Sequence, residues 1–295
     1  MNKIVVIGSS SIDLVAVSHR RPKAGETVIG ESFLSVPGGK GANQAVAAAR
    51  LGANVAMIGA VGTDDYGRFI LENFQNEGVN TQYVAEVSNR VTGIAHIVVA
   101  EGDNSIIIVQ GANQAVTVSL VDKIKDEVVS ADIVLIQLEI PLETVEYVVE
   151  LCDEHQVPII LNPAPAQKLS DNIIAKATYI TPNEHECQLL FDTEDINTLL
   201  WRYPNKLIMT EGDKGARFYD GERVIQVPTK KVSVVDTTGA GDTFNGALAV
   251  ALSSGRSLGE AIRFANIAAA LSVTKLGAQG GMPLLQEVKE SEHDK

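Results

Sequence analysis

Residues 131–165 read ADIVLIQLEIPLETVEYVVELCDEHQVPIILNPAP. VLIQL and IIL are short apolar runs of the kind that suits strands buried on both faces. Between them, in PLETVEYVVELCDEH, Leu142, Val145, Val148, Val149 and Cys152 recur at helical spacing. A strand, a helix and a second strand in one stretch imply a parallel sheet with a covering helix.

The alternation extends in both directions through KIVVIG, NQAVAAARLG, VAMIGAVG, DDYGRFILENFQNEG and KLIMTEG. The expected fold is α/β, a mostly parallel central sheet sandwiched by helices, with residues 1–295 forming one domain. Two segments break the pattern. Residues 14–37 and 91–112 read as antiparallel hairpin material, the second with apolar strands on either side of Glu101-Gly102-Asp103-Asn104. They predict a small β-sheet lid over the strand ends, where open α/β sheets bind ligands. Extension of one edge of the main sheet is the other arrangement the sequence allows.

With 295 residues and 45% apolar content, the chain can bury a substantial core. No stretch approaches the apolar length that spans a bilayer, and MNKIVVIG lacks the longer apolar segment and cleavage site of a signal peptide, which together read as a cytoplasmic protein. A formal net charge of −13 disfavours nucleic acid or an anionic membrane as partner. His19, His96, His155, His185 and His293 are scattered, with no i, i+4 pair for zinc. Cys152 and Cys187 lie far apart in sequence and read as buried free thiols.

The chemistry concentrates in VVDTTGAGDTFNGALAVALSSG, residues 234–255, where a glycine-rich turn leads into a helix and sets Asp242 at its start. A helix start attracts anions. Asp242 could simply cap its own helix, but Gly239, Ala240 and Gly241 also strip the backbone of side chains where the amides emerge. Neither known glycine loop fits. GAGDTF has Phe244 and GGKGAN has Asn43 where a dinucleotide fingerprint needs its third glycine, and Gly41 follows Lys40 where a P-loop needs Ser or Thr.

An acid beside a polyphosphate is costly. Two unit charges about 4 Å apart repel by roughly 4 kcal/mol at an effective dielectric near 20, and a helix terminus returns at most about 2 kcal/mol. A cation is therefore expected, and ITPNEHEC offers Asn183, Glu184 and Glu186 after a strand, although the same residues suit a capped helix start after Pro182. An acid so placed fits a hydroxyl that attacks a terminal phosphoryl group, with the bare amides of Gly239 to Asp242 stabilising the transferring oxygens. A polyol acceptor needs converging polar side chains. Asp13 is read at the end of the first strand region (GSSSID), Gly39, Lys40 and Asn43 at a second glycine turn, and Glu139 closing VLIQLE. Taken singly, each has a local alternative: a turn for Asp13, a cap for Asn43, a helix-start acid for Glu139.

PGGKGANQAVAAARLGA and VVDTTGAGDTFNGAL together resemble the paired signatures of the ribokinase-like carbohydrate kinases, also called the phosphofructokinase B family. GETVIG, IQLEIPLE, LNPAPA, ITPNEHE and FANIAAALSVTKLGAQ extend the resemblance over nearly the whole chain. It implies a nine-stranded or similar α/β core, a β lid that clasps a homodimer, and ATP-dependent phosphorylation of the 5-hydroxyl of D-ribose with magnesium. It makes Asp242 the base, Gly239, Ala240 and Gly241 the anion hole, and Ser11, Asp13, Gly39, Lys40, Asn43 and Glu139 the sugar residues. Asn183 and Glu186 would serve magnesium and phosphate, the latter through water. Thr210, Glu211, Gly212, Asp213, Lys214 and Gly215 would form the nucleotide loop, with Gly241 beside it and Asn266 as its adenine-side wall. An activating potassium ion would sit against Asp236, Thr238, Ser272, Lys275, Gly277 and Gly281. Two positions depart from the family pattern: Ser11 stands where Asn is common, and Gly281 where a hydroxyl side chain is frequent. Another small sugar, such as 2-deoxyribose or fructose, is the nearest rival substrate. A sugar phosphate would want more basic residues than Arg90 alone, and a non-turnover sensor would have no need of the base.

Overall fold

The computed structural model describes residues 2–191 and 195–293. The chain enters β1 (Lys3–Ile7), forms the hairpin β2 (Ser11–Val17) and β3 (Ser32–Gly38), and returns through β4 (Asn54–Gly62) and β5 (Asn80–Val87). A second hairpin, β6 (Gly93–Ala100) and β7 (Asp103–Val109), precedes β8 (Ile133–Ile136), β9 (Ile159–Leu161) and β10 (Tyr179–Ile180). The short strands β11 (Met209–Thr210), β12 (Ala216–Tyr219) and β13 (Val224–Val227) follow.

Six strands form the central sheet in the order β10-β9-β8-β1-β4-β5, and every pairing within it is parallel. The unit 131–165 is built as expected. Val134 of β8 pairs with Ile159 of β9, and the intervening helix Leu142–Glu154 buries Val145, Val148, Val149 and Cys152. Successive strand residues feed opposite cores: Ile4, Val6 and Leu135 pack on one face, Val5, Ile7, Val134 and Ile136 on the other. This two-sided burial explains the unbroken apolar runs, since each fully buried Val, Leu or Ile contributes about 1.5–3 kcal/mol. The antiparallel trio β11-β12-β13 continues the layer beyond β10 through isolated parallel bridges, Ile180 to Leu207 and Asn183 to Thr210. Cys152 and Cys187 are free and buried, and burial pushes their thiols up to about 12 and about 11.

The two hairpins form a separate four-stranded sheet in the order β3-β2-β6-β7. Each hairpin is antiparallel, as read from sequence, but they join through a parallel pair, β2 with β6. Asp13 lies within β2, as its third residue, and not at the end of the first strand region as the sequence reading had it. The chain leaves the central sheet at Gly8–Ser10, where Asn113 clamps Ser10 with two hydrogen bonds, Ser10 N to Oδ1 and Nδ2 to Ser10 O, both 2.9 Å. Ile12 is fully buried, whereas Phe33, Ile106, Ile107, Ile108 and Val109 are exposed.

The helices Lys40–Arg50 and Ala240–Ser253 lie against each other on one face of the central sheet. Their approach is close because Gly246 has no Cβ; one there would come within 2.8 Å of the Ala47 methyl. That contact brings the first turns of both helices together at the carboxyl ends of the strands, where open parallel sheets form their crevices.

Candidate active site

The Ala240–Ser253 helix is entered through Gly239, whose φ of 79° is left-handed and whose Cβ would lie 2.8 Å from Ala278. A Cβ at Gly241, in contrast, would meet nothing within 4 Å, so the open amides of the first turn face free space. Asp242 does not cap this helix. Gly239 is the N-cap and no side chain serves it, because the Asp242 carboxylate is turned inward, buried, and used elsewhere. Asn43 Nδ2 donates to its Oδ2 at 2.9 Å and Gln44 Nε2 donates to its Oδ1 at 3.1 Å. Burial pushes the Asp242 carboxyl above the usual range, while the Lys40 ammonium and these two donors pull against it.

Around Lys40 the remaining sugar-site candidates gather. Its backbone N–H donates to Glu139 Oε2 at 3.0 Å, and Ser9 Oγ donates to the same oxygen. Burial works against the Lys40 charge, but the carboxylates of Asp242, Glu139, Glu186 and Asp13 outweigh it and raise its pKa. Asp13 is raised to about 6, chiefly by burial and then by Glu139 and Asp242. Glu139 follows β8 by three residues and holds the turns at Ser9 and Lys40, and so does not act as a helix-start acid. Ser11 opens β2, paired with Gly38 and Gly93 at the base of the second sheet.

A cavity of about 220 Å³ in front of Asp242 is lined by Lys40, Asn162, Thr181, Asn183, Glu186, Gly239, Gly241 and Asn245 among others. Asn183 and Glu186 form a reciprocal cap, each side chain accepting from the other's backbone N–H at 2.9 and 2.8 Å. The capped helix start and the cavity-lining role therefore coexist in the same residues. Burial raises the Glu186 pKa. Among the described residues no group of three His, Cys, Asp or Glu side chains could hold a metal. One carboxylate with an amide oxygen beside it suits magnesium that keeps water and phosphate oxygens as most of its ligands.

A second cavity, about 550 Å³, shares Thr210 and Gly241 with the first and is walled by Val232, Val234, Phe244, Ala269, Ala270 and Val273. Thr210, Gly212, Asp213, Gly215 and Asn266 line it as well. Glu211 and Lys214 are not on its lining; the Glu211 carboxylate is spent on Arg217 at 2.7 Å, which ties the loop to β12. Asn266 is tied to the neighbouring chain at both ends, its side-chain Nδ2 donating to Val227 O at 2.8 Å and its own carbonyl accepting from Thr229 Oγ1 at 3.0 Å.

The cation-loop candidates come together only in part. Asp236 Oδ1 accepts from Thr238 N and Oγ1 at 2.9 and 2.7 Å, and its Oδ2 accepts from Gly277 N at 2.8 Å. Burial works to raise the Asp236 pKa, but the Thr238 and Gly277 hydrogen bonds prevail and lower it. Lys275 instead pairs with Glu287 at 3.1 Å. A Cβ on Gly281 would sit 2.1 Å from the Ser272 carbonyl oxygen, so no hydroxyl side chain fits at this position as the backbone stands. A loop tied by the Asp236 carboxylate has the chemistry for a weakly held monovalent cation, and Ser272 and Gly281 meet through their backbones behind it.

Sequence reasoning missed Ser9, Gln44, Gln137, Asn162, Asn245 and Gln279. Several carry a signal in retrospect: Gln137 and Asn162 are polar residues set at the ends of apolar strands, where burial is costly unless it serves a bond. The family described as pfkB family carbohydrate kinase matches residues 1–285. The chain is 55% identical to the ribokinase of Bacillus subtilis (strain 168) over 290 residues, 98% of this chain and 99% of that one. It is 49% identical to the ribokinase of Lactococcus lactis, covering 98% and 96%. The solved structure of Arabidopsis thaliana ribokinase complexed with ribose and ATP superimposes with a TM-score of 0.92 at 34% identity, covering 100% of this chain and 99% of that one.

Proposed function

The chain belongs to the pfkB family of carbohydrate kinases, and from that premise we propose that it transfers the γ-phosphoryl group of ATP to the 5-hydroxyl of D-ribose, giving D-ribose 5-phosphate and ADP. One observation carries the reading: a buried, doubly hydrogen-bonded carboxylate, Asp242, stands at an open helix start between a polar cavity and an apolar cleft.

In this reading Asp13, Glu139, Lys40 and Asn43 hold the sugar, with Ser11 at the edge of its pocket, and Asp242 accepts the proton of the attacking hydroxyl. The phosphoryl transition state is loose, so the base need only orient the O–H and take its proton late; a carboxylate suffices. The amides at Gly239 to Asp242 receive the charge on the transferring oxygens without reorganising. The adenine end lies against Phe244 and Val273, where apolar walls suit a flat ring. Magnesium, when bound, neutralises phosphate charge; Asn183 and Glu186 would hold its waters, and Asp236, Thr238 and the loop carrying Gly277 would hold potassium.

The four-stranded sheet acts as the lid, excluding water that would otherwise take the phosphoryl group. Its exposed apolar strand β7, with Phe33 and Leu34 of β3, supports a homodimer clasped through this sheet. A reaction that consumes ATP fits a cytoplasmic location. A coupled kinase assay over ribose, 2-deoxyribose and fructose tests the substrate. Highest kcat/KM on ribose is expected; far poorer turnover of ribose than of another sugar would sink the assignment.

A further inference from the structure

Building on the reading of Asp242 as the base, we propose that Gln137 and Gln279 are positioning residues, the outer members of a two-armed amide relay that aims one N–H donor at each oxygen of the Asp242 carboxylate. On one side Gln279 Nε2 donates to Asn43 Oδ1 at 3.1 Å, and Asn43 Nδ2 donates to Asp242 Oδ2 at 2.9 Å. On the other, Gln137 Nε2 donates to Gln44 Oε1 at 2.7 Å, and Gln44 Nε2 donates to Asp242 Oδ1 at 3.1 Å and reaches Asn162 Oδ1 at 3.1 Å. Both inner amides are consecutive residues near the start of one helix.

The outer glutamines solve a specific problem. A primary amide presents an acceptor and a donor of nearly the same shape, and rotation about its last bond exchanges them. With its oxygen toward a carboxylate, attraction becomes repulsion. A donor lodged on Asn43 Oδ1 or Gln44 Oε1 removes that option and leaves the NH₂ facing Asp242.

Gln137 shows the cost most plainly. It is fully buried, and its Oε1 finds no hydrogen-bond partner among the described residues. That oxygen lies so close to Gly8 that a Cβ there would be 2.1 Å from it. A buried amide with one orphaned end is a poor stabilising choice, and a leucine or methionine would fill the space without the penalty. What an apolar side chain cannot supply is the bond to Gln44. Gln279 is held more fully: Asn73 Nδ2 donates to its Oε1 at 2.9 Å, and Arg50 donates to its carbonyl at 2.6 Å.

The test uses the full-length enzyme with Gln137→Met and Gln279→Met, assayed for kcat, both KM values and unfolding temperature from about pH 5 to about pH 9. The charged groups facing Asp242, namely Lys40, Asp13, Glu139 and Glu186, are unchanged in both variants. Each variant is expected to lose about tenfold in kcat near neutral pH. The acid limb of the kcat profile should move to higher pH, because a carboxylate that loses a donor is more easily protonated. The KM for ATP should hold, and Gln137→Met should unfold at or above the wild-type temperature while losing rate, an outcome that a structural role does not produce. Adding Gln137→Met to Gln44→Met should bring no further loss. Wild-type kcat and acid limb in both single variants, or a full extra loss in the double variant, overturns the relay; if Gln137→Met fails to fold, Gln279→Met decides alone. Asp242→Asn separates the two readings. If it keeps its activity the base assignment fails, and if it is inactive while the methionine variants behave as wild type, the relay alone fails.

Discussion

The two cavities share Gly241 and Thr210 but are built on opposite plans. Around Asp242 nearly every contact is a directed hydrogen bond or a charge, and the side chains there are fixed by further amides. The neighbouring cleft is walled mainly by Phe244, small alanines and valines, with polar groups at Thr210, Asp213 and Asn266, and offers chiefly apolar area. The difference teaches how the proposed reading divides the work: the polar end orients the sugar and the base, and the cleft holds the nucleotide by area. Changes at Asp242 should therefore appear mainly in rate, changes at the surrounding sugar residues in the KM for ribose, and changes in the cleft in the KM for ATP.

Asp242→Asn is the severest way to break that division. It keeps the shape and removes the proton acceptor, so kcat should fall by about a thousandfold while ribose and ATP still bind in calorimetry. Loss of binding in step with rate would show that Asp242 grips the ligand as well as activating it. Asp13→Asn comes next, because the polar end holds unfavourable charge. The Asp13 carboxyl titrates at about 6 in the folded protein against an ordinary value of 3.8. The folded state therefore binds this proton more tightly than the unfolded chain, and ionisation of Asp13 costs stability above about pH 6, a cost that vanishes as pH falls toward about 4. Asp13→Asn should raise neutral-pH stability by about 1–3 kcal/mol, with the gain closing in that window, and should raise the KM for ribose. Thermal unfolding across pH reads this directly, and an unchanged melting temperature at neutral pH would contradict it. The mildest change, Ala269→Leu, sharpens the other half: a larger side chain in the cleft should raise the KM for ATP about tenfold and leave kcat at saturation and the KM for ribose alone.

Much of this architecture was legible because burial writes itself into periodicity. The unit 131–165 announced its strand, helix and strand through apolar spacing, and Gly239 to Asp242 announced a bare helix start. Asp13 was misplaced because GSSSID continues the extended character of β1, and the turn that ends it depends on Asn113, about a hundred residues away. Glu211 entered the expected nucleotide loop through resemblance alone, and its pairing with an arginine six residues on is a contact no local pattern announces. The amide relay left no trace in any local pattern, since its members lie on three separate segments and acquire meaning only when the fold aligns their donors.

Four acids converge on the Lys40 ammonium, Asp13, Glu139, Glu186 and Asp242. Such a pocket is hospitable to an uncharged polyol and hostile to what that polyol becomes. On the proposed reading, an alcohol that has gained a phosphate dianion meets these carboxylates as like charges, so turnover itself loosens the hold on the newly made ester.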